Sequence, residues 1–140
     1  MAKTFTNILV PFDDSPNSKR ALNNAIGLAS MANASLSLVY VISYHGAMAK
    51  IVQPYKGKMI SHVEKFMKNA KNTAFKQGVS VNQHILYGNP SQEILGLMNK
   101  KKFDLVVMGR RGTTKITGPS LGSVSNALVQ NSKIPVLVVG

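Results

Sequence analysis

Cysteine is missing from all 140 residues, which excludes a disulfide scaffold, thiol catalysis and a cysteine-held zinc ion. Its absence fits a reducing compartment. No stretch of about 18 apolar residues occurs, the length a helix needs to cross a bilayer. Met1 to Thr6 carry no apolar core of a secretory signal. A soluble, cytoplasmic protein with no membrane partner is therefore expected. Aromatic residues are scarce, at four Tyr and five Phe, and offer no stacking platform for single-stranded nucleic acid. Acidic residues are scarcer still, with five Asp and Glu against 17 Lys and Arg. Three chemical motifs are missing as well: the G-x-x-x-x-G-K-[ST] phosphate loop, the G-x-G-x-x-G turn and the G-x-S-x-G nucleophile elbow. His45, His62 and His84 fall on different elements without metal-ligand spacing, so no metal-binding residue is assigned.

What is present fits one globular domain over residues 1–140, since 44% apolar content at this length fills a single core. The formal net charge of +12 raises the question of an anionic partner. The lysines are dispersed. Lys56, Lys58, Lys65, Lys68, Lys71 and Lys76 recur through one helical segment and read as a solvated face in preference to a nucleic-acid surface. Lys100, Lys101 and Lys102 end another helix, where positive charge complements the helix dipole. The overall field would speed capture of a polyanionic ligand.

Apolar runs alternate with helical patterns from end to end, as in β-α units around a parallel sheet. Strands are predicted at Asn7 to Phe12, Leu36 to Ile42, Val79 to Leu86, Leu105 to Met108 and Ile134 to Val139. Helical spacing relates Ala21, Leu22, Ala25, Leu28, Ala29 and Ala32, then Met59, Val63, Phe66, Met67, Ala70 and Ala74, then Ile94, Leu95, Leu97 and Met98, then Val124, Ala127 and Leu128. Asp14, Ser15 and Pro16 read as caps and the first turn of a helix, as do Asn89 and Pro90. Ser43 to Gly57 looks irregular. Pro135 places the last strand at an edge, because proline cannot donate to a ladder.

The most informative segment is MGRRGTTKITGPSLGSVS, in which Gly109 and Gly112 are two residues apart and nine more precede Gly122 and Ser123. Glycines here would let backbone N–H groups approach a phosphate closely. Ser123 adds a hydroxyl, and a helix starting at this point presents free N–H groups and the positive end of its dipole. Ligands in open α/β sheets bind beyond the strand ends where winding reverses. If the strand order is 3-2-1-4-5, Asp13 after the first strand faces Gly109 after the fourth. Asp13 could then accept from ribose hydroxyls or approach a metal on the phosphates, or it could simply hold a turn.

NILVPFDDS, VYVI, DLVVMG, the G-2x-G-9x-G-S pattern and IPVLVV together resemble the universal stress protein family, in its ATP-binding branch. The resemblance implies an open five-stranded parallel sheet of order 3-2-1-4-5 with helices on both faces, the adenine nucleotide alpha hydrolase-like fold. It also implies a homodimer through the last strand. It puts adenine beside Val41 and near Pro11 and Met108, with Asp13 at the ribose and Gly109 and Gly112 along ribose and phosphates. Gly122, Ser123 and Val124 would donate to the phosphates. Arg111 matches the family arginine, and Arg110 is a departure from the common small residue.

The expected function is that of a regulatory stress-response module binding ATP, ADP or AMP, with Mg2+ or Mn2+ at the phosphates as an open addition. A slow Mg-dependent ATPase is the alternative, but no general base is evident beyond Asp13. Nucleic-acid binding is the least favoured reading, as no recognition motif is present.

Overall fold

The computed structural model describes residues 4–43, 51, 53–111 and 121–140. Strands are β1 (Asn7–Pro11), β2 (Ser35–Ile42), β3 (Val81–Tyr87), β4 (Leu105–Gly109) and β5 (Val136–Val139). The described residues include the helices α1 (Pro16–Ala32), α2 (Lys56–Lys76), α3 (Pro90–Lys100) and α4 (Ser123–Asn131), with a 3-10 turn at Gln53–Tyr55 ahead of α2. The sheet order is β3-β2-β1-β4-β5, as expected, and all neighbours are parallel.

Burial on both faces explains why β1, β2 and β4 are nearly continuous apolar runs. Successive residues on a strand point to opposite faces. Ile8, Val10, Phe12, Leu36 and Leu38 therefore join one core with α1 and α2, through Leu22, Ala25, Val63, Phe66 and Met67. Leu9, Val39, Val41, Val106 and Met108 join the other with Ile94, Leu97 and Leu128. The Asp104 carboxylate fastens the lower end of β1 to β4 by accepting from the N–H groups of Thr6 (2.8 Å) and Asn7 (3.1 Å).

The helix starts follow the sequence closely. Ser15 caps α1, its hydroxyl accepting from Ser18 N–H at 3.2 Å, and Pro16 opens the helix. Asn89 caps α3 by accepting from Gln92 N–H at 3.1 Å, with Pro90 next. Asp14 is not a cap. It takes a left-handed φ of 66° and pairs with Lys19 at 3.6 Å near the surface.

Strand boundaries differ for identifiable reasons. β3 starts at Val81, because the N–H groups of Gly78 and Val79 turn back onto the carbonyls of Phe75 and Ala74 to close α2, with Gly78 at φ 77°. α2 begins at Lys56, inside the segment expected to be irregular, of which residues 44–50 and 52 lie outside the description. β1 ends at Pro11 rather than Phe12, and β5 is at an edge but starts at Val136. Pro135 lies before that strand, its carbonyl accepting from Val106 N–H at 3.0 Å, so topology and not a missing ladder donor puts β5 at the edge.

Candidate functional site

β1 and β4 are hydrogen-bonded neighbours, but the chain leaves them to opposite faces, into α1 and α4. Their carboxyl ends diverge and leave a cleft of about 530 Å³ at the point where winding reverses. Pro11, Asp13 and Val41 line one half; Met108, Gly109, Arg111, Gly122, Ser123 and Val124 line the other. The sequence-predicted residues are thus brought together, except Gly112, which lies outside the described residues.

The two walls differ in chemistry. Val39, Val41, Ile94, Met108 and Val124 form an aliphatic wall continuous with the α3/α4 core. Phe12 and Tyr40 form the other. Pro11 pairs with Val39, and Phe12 N–H donates to Val39 O at 2.9 Å, which makes Phe12 and Tyr40 cross-strand neighbours on the α1/α2 side. Phe66 backs them both, edge-on to Tyr40 at 5.2 Å and tilted to Phe12 at 6.0 Å. Sequence reasoning missed this aromatic wall, together with Ser18, Ser43, Pro90 and Ser125 on the cleft lining. The alternation along β2 was the available signal for Tyr40.

Burial raises the Tyr40 hydroxyl above its ordinary pKa of 10.0, and the Asp13 carboxylate raises it further. Tyr40 is therefore a neutral hydroxyl beside an acid. Asp13 Oδ1 accepts from Ser15 N–H at 3.0 Å, so the turn role foreseen for it is real while the residue still lines the cleft.

α4 opens with Gly122 as N-cap, at φ −70° and ψ 168°, and among the described residues no side chain caps it. Glycine has no side-chain oxygen to offer the first turn, so Ser123, Val124 and Ser125 bring to the cleft a helix N-terminus that its own cap residue does not close. The Gly122 N–H itself donates to Arg110 O at 2.9 Å, which corrects the expectation that it serves a ligand. Gly109 lines the cleft and has a packing role besides. A Cβ there would stand 2.8 Å from both the carbonyl carbon and the Cβ of Asn17, so close packing of α1 requires the glycine. Ser125 Oγ donates to Gly109 O at 2.8 Å, and Arg110 N–H to Val139 O at 2.8 Å. Arg111 lines the cleft, whereas Arg110 acts through its backbone, joining β5 to the start of α4.

A buried strand end, a half-buried polar turn and a helix start without a side-chain cap among the described residues suit a small ligand with a flat apolar part and an anionic part. The family profile of the universal stress proteins matches residues 4–140. The chain belongs to the universal stress protein family. Universal stress protein MJ0531 of Methanocaldococcus jannaschii is 32% identical, across 96% of this chain and 82% of its own length. Universal stress protein UspA from Lactobacillus plantarum shares the fold with a TM-score of 0.89 at 24% identity, covering 99% of this chain and 100% of that one. A universal stress protein solved in complex with cAMP superposes with a TM-score of 0.73 at 26% identity, over 99% and 98% of the two chains. The fold is the adenine nucleotide alpha hydrolase-like one expected of this family.

Proposed function

We propose that the cleft binds an adenine nucleotide, ATP, ADP or AMP, and that the protein is a regulatory binding module of its family's ATP-binding branch. The observation that carries this reading is the uncapped start of α4 set across the cleft from Asp13 and the end of β2. The base would lie beside the Val41 backbone, near Pro11 and Met108, the ribose at Asp13, and the phosphates at Ser123, Val124 and Arg111. The family member solved with cAMP supports an adenine ligand. In the alternative use of Asp13, this carboxylate of the described cleft lining would approach a phosphate-bound Mg2+ or Mn2+ in place of the ribose.

Dimerisation through β5 belongs to the same reading, supported by exposed Leu137 on that edge and exposed Val129 on the adjoining α4. Titration of ligand-free protein with ATP, ADP, AMP and GTP at two salt concentrations tests the binding. Failure of every adenine nucleotide to bind would overturn it. Equilibrium sedimentation of wild type against Leu137→Lys tests the dimer, which the variant should dissociate.

A further inference from the structure

The structure shows which face of their helix the recurring lysines take. α2 carries six lysines against one acid, Glu64. Its apolar face, including Val63, Met67 and Ala70, packs inward, and Lys58, Lys65, Lys68 and Lys76 are exposed away from it. Over 21 residues that face runs about 31 Å. Exposed large apolar side chains share the bias. Of the seven among the described residues, four belong to the α1/α2 layer or the chain entering it: Met31, Ile51, Tyr55 and Phe75. Phe75, 77% exposed, follows Lys68 and Lys71 on one helical row.

We propose that the outer face of α2 docks onto an anionic lipid bilayer, with the lysines at the headgroups and Phe75 entering the interface. Charge complementarity selects an anionic surface, and the residue types select lipid over nucleic acid. The face has no arginine, the side chain whose planar fork recognises phosphodiesters and base edges; its lysines are point charges on flexible stems. The apolar face of α2 packs into the core, so the attraction comes from the lysines, and Phe75 is the one large apolar side chain exposed on the helix to add to it. No helix of the described residues is long and apolar enough to cross a membrane, so the contact is peripheral. The expectation of no membrane partner rested on spanning and signal segments, which such a contact does not use. This inference is independent of what the cleft binds.

The test is cosedimentation of the full chain with vesicles of phosphatidylcholine alone and of phosphatidylcholine mixed equally with phosphatidylglycerol, at low salt and at about 0.15 M. Binding to the mixed vesicles only is expected. Lys65→Gln with Lys68→Gln and Lys76→Gln should lower the partition coefficient by about a hundredfold, from about fivefold per lysine. Lys100→Gln with Lys101→Gln and Lys102→Gln removes the same charge elsewhere and should change it by less than about threefold. Phe75→Ser should cost about tenfold on vesicles and leave binding to a single-stranded RNA unchanged. Equal loss in the two triple variants means non-specific attraction, and loss of RNA binding with vesicles unaffected means a nucleic-acid face. Either result, or no preference for the anionic vesicles, overturns the proposal.

Discussion

Gly109 and Gly122 belong to one sequence pattern, yet the structure uses them differently. Gly109 is a buried strand end hemmed in by α1, with Asn17 atoms where its Cβ would be. Gly122 is a helix cap with an ordinary φ of −70°, a conformation open to any residue. The first glycine answers to packing. The second leaves a helix start without a side-chain cap, and so answers to whatever approaches α4. A spacing that reads as one phosphate clamp is thus half scaffold.

The largest effect expected from this difference is on stability. Gly109→Val should cost about 3 kcal/mol or more, since the clash is with backbone that cannot rotate away. Gly122→Val should cost no more than about 1 kcal/mol, the scale of a cap substitution. Urea denaturation of both variants checks the contrast, and equal losses would break it.

Next in size is an effect on binding at the α4 end. Ser123 is the first helical residue, where proline is tolerated, and Gly122 before it already has the extended backbone that proline requires. Ser123→Pro removes the N–H and the hydroxyl; Ser123→Ala removes the hydroxyl alone. If phosphate sits on the helix start, AMP affinity should fall about tenfold further in the proline variant, with both variants as stable as wild type. Calorimetric titration of the pair reads the backbone donor separately. Equal affinities would move the anion away from α4.

A smaller effect joins the two regions. Ser125, from the α4 side, donates to the Gly109 carbonyl at 2.8 Å in a buried setting. Ser125→Ala should destabilise the fold by about 1 to 2 kcal/mol, because the carbonyl loses its side-chain donor. A change in nucleotide affinity no larger than about twofold is expected, since the hydroxyl is already engaged. Denaturation and titration on one sample distinguish these outcomes.

The strands, helix caps and most cleft residues were legible because each rests on a local signal: continuous apolar runs for β4, Ser15 and Asn89 before prolines, and glycine ahead of Ser123; the sheet order came from the family resemblance. The rest depends on register. Phe12 and Tyr40 meet across β1 and β2 only because Pro11 aligns with Val39, and neither position is unusual in its own strand. Asn17 against Gly109 is likewise a helix-to-strand distance that no spacing along the chain encodes. The reason given for Pro135 failed where its conclusion held, since a proline before a strand still provides a carbonyl for the ladder.

The smallest predicted effect separates the cleft from the opposite edge of the sheet by their titrations. His84 on β3 has its pKa lowered below the ordinary 6.5, first by burial and then by the positive charge of Lys101. The folded state therefore prefers neutral imidazole more strongly than the unfolded chain does. Between the two pKa values the unfolded state binds more protons, so this contribution to stability is complete above about pH 6.5 and is lost as pH falls toward the folded value. Tyr40 shifts in the other direction, above 10.0, and stays neutral throughout that window, while no histidine lines the described cleft. His84→Gln should flatten part of the fall in stability between about pH 7.5 and about pH 5. Tyr40→Phe should leave that slope as it is in wild type. Urea midpoints across the range test both, and an unchanged slope in His84→Gln would mean that the β3 edge tolerates the imidazolium.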